Sequence, residues 1–422
     1  MKTLLKIQGS RFLINGQLTY SELKKCPDKF RGMLMNVRMI QGVFEDKQDP
    51  ARFNRFGRIF DADGNTDHLI TALPEWYRAG IRAITVGFQG GGPCFTLNSN
   101  TIDNNPYSED GSSIDEKYLN RMKRIIDAAD RIGMAVIVCM FYGAQSRFLK
   151  DDDAVFRAVK SVSNWARDNS FTNVILEIAN EHDVDMYHIH PVLYLDTGIA
   201  QLLEVAGRES GGIPVGCSGT GKFFSRNIAD RSDVVLIHGN DKTRQRLYDF
   251  IQKAKAGSSG KPVVINEDSQ CIGNMITAMD AGVSWGYYNN MTKQEPPCDY
   301  GITKGEDQFF AMRLSQQLGI ADSEPPVEEQ FYLQGLEKDM EYDGKRWIRL
   351  ASLHPERIDK VILYRNNRKA AVLYDEPFFL NAYGNSNWLQ MPFEEKIIPG
   401  EKWKAEVVLA DGRIMTKETA AI

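Results

Sequence analysis

The chain has 422 residues, 42% of them hydrophobic and 25% charged, with a formal net charge of -5. That length exceeds one average core and argues for a large domain plus a smaller one, and the evenly spread charge lacks the basic stripe that a nucleic-acid partner would require. No apolar run approaches the ~18 residues of a membrane-spanning helix, so no membrane partner is expected.

The opening stretch, residues 1–9, is apolar but is broken at Lys6 and Gln8 and lacks a small-residue cleavage site. The sequence as it stands therefore reads as cytoplasmic, or as periplasmic or secreted if a leader has been removed. Its six cysteines are scattered without a CxxC pair, which favours reduced thiols.

In chain order, residues 1–29 hold a predicted hairpin. Asn15-Gly16 sits between the apolar flanks Phe12-Leu13-Ile14 and Leu18, and this unit is expected to cap a barrel floor. From residue 30 to 320, apolar strand-like runs alternate with amphipathic helical stretches. The runs are residues 33–40, 81–88, 135–141, 174–178, 213–217, 234–238, 263–266 and 283–288. Between them, residues 115–131 place Tyr118, Leu119, Met122, Ile125 and Ile126 at helical spacing, and residues 154–167 do the same with Val155, Val159, Val162 and Trp165. Eight such repeats predict an α/β fold of the (β/α)8 TIM-barrel type.

Residues 321–326, Ala-Asp-Ser-Glu-Pro-Pro, read as a linker. Beyond them, residues 327–422 carry short alternating runs at 347–350, 360–364, 370–374 and 403–409. Turn signals stand at Asp343-Gly344, Pro399-Gly400 and Asp411-Gly412, so a small β-sandwich is predicted. Trp388 and Tyr383 could present it to sugar, although inert packing is the commoner role for such a module.

In a barrel of this type the active site is built where the C-terminal ends of the strands converge. Asn180 and Glu181 end the fourth run, and Glu267 ends the seventh. Two carboxyl groups about 5 to 5.5 Å apart, one protonated and one ionised, cleave a glycosidic bond with retention of configuration and without a cofactor.

These residues resemble those of the clan A retaining glycoside hydrolases, cellulase-like barrels with an Asn-Glu acid/base on strand four and a nucleophilic Glu on strand seven. The resemblance covers roughly residues 10–320. It implies that Glu181 is the acid/base, that Asn180 holds the sugar 2-hydroxyl, and that Glu267 forms the glycosyl-enzyme. It also implies that Trp285, on the eighth strand, stacks beneath the reacting sugar. His238, closing the sixth strand, falls where the clan keeps a group that orients the nucleophile. Many clan members carry His at the third strand end and His-x-Tyr at the sixth. Here the segments read Cys139-Met-Phe-Tyr142 and His238-Gly-Asn240, so family and substrate within the clan are not carried over.

Other residues are read without the resemblance. Asn36 and Arg38 end the first strand and could hold Glu267 ionised, since a nearby cation lowers a carboxylate pKa. Arg82, at a strand start, should face the floor. Tyr142 and Phe141 line the cleft or fill the barrel. The long segments 89–107 and 289–301 are candidate subsite walls.

The expected substrate is an oligosaccharide or polysaccharide with a β-type linkage. Sugar identity, endo or exo cleavage and oligomeric state stay open. Two rival readings are a non-catalytic carbohydrate-binding barrel and a metal-dependent barrel hydrolase. The latter is prompted by the His-rich segment 182–190, but no second ligand cluster stands at another strand end, so no metal site is assigned. Residues 216–222 match GxxxxGK, but Phe223 follows where a phosphate loop needs Ser or Thr.

Overall fold

A computed structural model describes residues 2–55, 57–92, 99–342, 345–380 and 396–422. The N-terminal unit is a three-stranded antiparallel sheet of β1 (Leu5–Gln8), β2 (Arg11–Ile14) and β3 (Gln17–Leu18). Asn15 and Gly16 both have positive φ, 53° and 82°, as a two-residue type I′ connection requires. Leu5 and Phe12 pack with Leu34, Ala83, Ala135, Ile175, Val234 and Val264, residues within two positions of the starts of six of the parallel strands. The hairpin therefore plugs the N-terminal end of the parallel strands.

Each of the eight predicted runs contains a strand, and all eight are parallel to their neighbours. They are β4 (Asn36–Arg38), β5 (Ala83–Gly87), β6 (Ala135–Phe141), β7 (Val174–Ala179), β8 (Val215–Gly216), β9 (Val235–His238), β10 (Val263–Glu267) and β11 (Gly286–Tyr287). A six-stranded sheet runs β11-β4-β5-β6-β7-β8, and β9 pairs with β10 in a second sheet. Backbone bonds reach across both gaps between these sheets. Asp233 and Val234 N–H donate to Val215 O at 2.8 and 3.2 Å, and Ile265 N–H donates to Ser284 O at 2.9 Å.

Helical crossovers separate the strands: α1 (Ala62–Arg78), α2 (Glu116–Ile132), α3 (Asp152–Asp168), α4 (Pro191–Tyr194), α5 (Asp196–Glu209), α6 (Arg226–Arg231), α7 (Arg244–Gly257) and α8 (Ile272–Asp280), then α9 (Asn290–Lys293) and α10 (Glu306–Gln317) after β11. Their starts are set by local chemistry. Asp61, Asp115, Asp151, Ser225 and Thr243 each accept a hydrogen bond from a first-turn N–H through the side chain. Helices cover one face of the strands and the strands' own side chains pack on the other, which is why β5, β6 and β7 are continuously apolar or small apart from Thr85 and Glu177, with every residue buried.

The C-terminal region is antiparallel. It comprises β12 (Phe331–Gln334), β13 (Glu341–Tyr342), β14 (Lys345–Arg346), β15 (Arg349–Ser352), β16 (Ile358–Arg365), β17 (Arg368–Leu373), β18 (Lys402–Leu409) and β19 (Ile414–Ala420). β12 pairs with β15, and a four-stranded sheet runs β17-β16-β18-β19. Phe331, Leu333, Ile348 and Leu350 share one apolar cluster with Val361, Leu363, Trp403, Ala405 and Val407. Two polar ties join this region to the helices above. Arg349 Nε on β15 pairs with Glu306 on α10 at 2.8 Å, both buried. The Glu376 carboxylate accepts the N–H groups of Ile272 and Gly273 that open α8.

Candidate active site

The C-terminal ends of β4, β7, β9 and β10 bring Arg38, Asn180, Glu181, His238 and Glu267 together. Glu181, Glu267 and His238 each offer an atom within 4.8 Å of the others. Glu267 is held on three sides: Arg38 Nε lies 2.8 Å from its Oε2, Asn240 Nδ2 donates to its Oε1 at 2.8 Å, and His238 Nδ1 stands 3.6 Å from Oε2. His238 Nδ1 is also 3.0 Å from Glu181 Oε1, so the imidazole bridges the two carboxylates. Arg38 Nη2 donates to Asn180 Oδ1 at 2.5 Å, and its guanidinium lies over the Tyr288 ring, 5.4 Å from the centroid.

Local backbone geometry places the pair. β7 stops at Ala179, and Glu181 turns out of it with φ of 49°, a conformation unusual for a side chain of that size and costing of order 1 kcal/mol. Its N–H is met by the Ser218 hydroxyl at 3.2 Å. Glu267 ends β10 at a register irregularity against β9, where Glu267 rather than Asn266 stands opposite His238. Gly239 N–H then donates to Glu267 O at 2.8 Å, fixing that offset.

Burial dominates the electrostatics. Arg38, His238 and Glu267 are almost wholly enclosed, whereas the Glu181 side chain keeps 20% of its exposure. Loss of water pushes the Glu267 carboxyl up, Arg38 and His238 push it back, and the balance stays above the ordinary glutamate value. Burial works against charge on His238, but Glu267 and Glu181 outweigh it and raise its pKa. Arg38 and a protonated His238 both face Glu267, and that pairing is how a nearly dry pocket tolerates the buried anion.

The structure separates the other sequence-nominated residues into two sets. Tyr142 faces the pair: burial raises its phenol to about 12, and the negative charges of Glu181 and Glu267 add to that rise. Asn36 and Trp285 do not take their expected places. Asn36 donates to the carbonyls of Leu34 and Ile265 at 3.3 and 3.2 Å, bracing β4 against β10, and has no bond to Glu267. Its oxygen lies so near the β11 backbone that a Cβ at Gly286 would meet it at 2.4 Å. Trp285 is wholly buried, donates Nε1 to Asp268 Oδ2 at 2.8 Å and packs on Phe310, so it presents no face to a sugar. The reason is side-chain parity: Trp285, just before β11, and Tyr287, two residues on, share one side of the chain and both pack on Phe310 of α10.

Phe141 fills the core against Tyr107. Arg82 pairs with Glu22 at 2.8 Å beside the N-terminal sheet, away from the carboxylates. The His-rich segment does not converge on a metal site. His182 is buried against Phe223, His188 lies on Tyr194, and His190 Nε2 meets Ser146 O at 3.0 Å. Trp388, Tyr383 and the Asp343-Gly344 turn lie outside the described residues.

Two contributors escaped the sequence reading. Asn240 could have been found from its place two residues after His238 at the same strand end. Glu177, wholly buried and bonded to Asn266 Nδ2 at 3.0 Å, sits in mid-strand, where a carboxylate gives no positional signal.

No protein-family profile and no curated protein matches this sequence. Among solved structures, the chain is similar to a "putative glycoside hydrolase" from Bacteroides vulgatus, with a TM-score of 0.50, 10% identity, and coverage of 99% of this chain and 76% of that one. The likeness is one of fold. The endo-β-1,4-mannanase of Thermotoga petrophila aligns at a TM-score of 0.46 and 12% identity, covering 92% of this chain and 97% of the mannanase. A β-glucuronidase of Bacteroides uniformis aligns at 0.45 and 10% identity over 99% of this chain, which spans 48% of that enzyme's length.

Proposed function

We propose that the protein is a retaining β-glycosidase, with its eight parallel strands closed into a (β/α)8 barrel over residues 30–320, a plugging hairpin at 1–29 and a β-sandwich at 327–422. The backbone bonds between β8 and β9, and between β10 and β11, support closure. One observation carries the chemistry: an oxygen of Glu181 and one of Glu267 lie within 4.8 Å of each other, which supports a double-displacement pair over the wider gap in which an inverting enzyme seats its water.

In this reading Glu267 is the nucleophile. Arg38 and Asn240 each engage one of its oxygens and hold the anion aimed at the anomeric carbon. Glu181, the more exposed of the two, gives its proton to the glycosidic oxygen as the C1–O bond breaks and the Glu267–C1 bond forms. Glu181 then takes a proton from water, whose oxygen attacks C1 and frees Glu267. His238, bonded to Glu181, is placed to share that proton between the half-reactions. Asn180, oriented by Arg38, is placed for the sugar 2-hydroxyl.

The test is Glu267→Gln assayed on an aryl β-glycoside that the wild type cleaves. Turnover should fall by roughly five orders of magnitude with binding retained, since only the covalent step is lost. Survival of turnover would refute the assignment. The metal-hydrolase reading is prompted by segment 182–190; the described residues that do converge with metal-ligand spacing are Glu181, His238 and Glu267, where the Arg38 cation 2.8 Å from Glu267 opposes a second cation, and activity should be indifferent to EDTA. A barrel that only binds sugar would retain ligand without hydrolysing any aryl glycoside.

A further inference from the structure

We propose that this site is exo-acting and removes single sugar residues from non-reducing ends, an inference that rests on the glycosidase reading above. The acid must reach the exocyclic oxygen, which carries the leaving group, so the leaving group lies on the Glu181 side and the transferred sugar on the far side of Glu267. Glu181 follows β7. Four strands round the ring stands β11, with β4 beside it and β5 next after β4, and the described residues that follow these three strands line the side beyond the transferred sugar.

That wall is sewn shut by buried amides. Gln41, after β4, is wholly buried. Its Nε2 donates to Gly91 O at 2.7 Å and to Gln294 O at 2.8 Å, and its Oε1 accepts Gly91 N–H at 3.2 Å. Gln294, from the loop after β11, donates in turn to Gly92 O. The backbone of Gln41 is itself anchored, its carbonyl accepting Asn65 Nδ2 at 2.8 Å. Only glycine permits this approach: a Cβ at Gly90, where φ is +61°, would sit 2.4 Å from Gln41 Oε1, and one at Gly91 would sit 2.9 Å from Ile40 Cγ2.

The seam borders the reacting groups. A Cβ at Gly92 would lie 3.0 Å from the Tyr142 hydroxyl, which faces both carboxylates. Ile40 packs with Tyr288, the ring beneath Arg38. Exposure runs the same way: 20% for the Glu181 side chain, 4% for Glu267 and 1% for Arg38. Among the described residues, the site is thus open on the leaving-group side and closed behind the transferred sugar. A chain continuing past the transferred residue would have to break the Gln41–Gly91–Gln294 bonds, leaving buried polar groups unpaired.

The experiment uses the full chain. A panel of 4-methylumbelliferyl β-D-monosaccharides first identifies the sugar. An oligosaccharide of that sugar is then compared with the same compound methylated at the hydroxyl through which the chain would extend. Free-ended substrate should yield only the monosaccharide from its first turnover, and the blocked one should be cleaved at least roughly 100-fold more slowly, the leverage of two buried hydrogen bonds. Gln294→Ala, checked for folding by its melting curve, should narrow that ratio by opening the seam. Equal rates on both substrates, or first products longer than one residue, would overturn the exo assignment while leaving the glycosidase intact. Failure of every aryl glycoside would instead overturn the glycosidase reading, and this inference with it.

Discussion

Replacing Arg38 by methionine keeps most of the side chain's volume and removes its charge from a Glu267 that has almost no water around it. At the 2.8 Å separation seen here, the direct attraction is about 6 kcal/mol with an effective dielectric of about 20. Part of that offsets the cost of burying both ions, and removing one partner of such a pair typically costs about 3–5 kcal/mol. Even ~3 kcal/mol, at about 1.4 kcal/mol per tenfold, moves the ionisation of Glu267 upward by roughly two pH units.

The sign follows from the role. Glu267 must be ionised to attack, its carboxyl already stands above the ordinary value because of burial, and loss of a neighbouring cation raises it further. The acid limb of the kcat/KM profile on the aryl glycoside should therefore move up by about two pH units in Arg38→Met. Below the wild-type acid limb the variant should be about 100-fold slower than wild type, and it should regain that loss as pH rises past its own limb. Arg38→Lys should lie between the two. If folded Arg38→Met kept the wild-type acid limb and lost activity equally at all pH values, Arg38 would not be holding the Glu267 anion.

Trp285→Phe should leave KM within about twofold, because the indole does not face the site, yet lower stability by about 1–3 kcal/mol through the lost donor to buried Asp268, read by denaturant unfolding. A large rise in KM would restore its role as a sugar platform. Glu376 gives a pH signature: burial lifts its carboxyl to about 8 against the pull of the Ile272 and Gly273 N–H groups. A folded value above the unfolded one means stabilisation that is complete below about pH 4.5 and is lost as pH rises through about 8. Melting temperatures measured from pH 5 to 9 should decline with a component absent in Glu376→Gln, and parallel profiles would refute the assignment.

The parallel-strand region was legible because strands buried on both faces are written as unbroken apolar runs, from residues 135–141 to 263–266, each followed by helical spacing. The polar ends of two such runs then exposed Glu181 and Glu267. What could not be read is what depends on direction across the strand. Asn36 opens β4 and Trp285 stands just before β11, and both have their partners elsewhere, because a shift of one residue along a strand reverses the side to which a side chain points. β15 starts at Arg349, two residues later than the alternation at 347–350 suggested. β12 and β19 were missed because their neighbours supply the pattern only after folding. Gln41 gave no signal either, since an amide that bonds backbone 50 and 253 residues away looks like any surface glutamine.

The Glu376 carboxylate meets α8 five residues beyond Glu267, and Arg349 neutralises Glu306 inside the same seam. Trimming the chain to residues 1–320 would strip an acceptor from the first turn of the helix that follows β10 and strand a buried anion on α10. The antiparallel module is thus part of the scaffold that aligns Glu267, and a shortened version of this protein would have to carry it along.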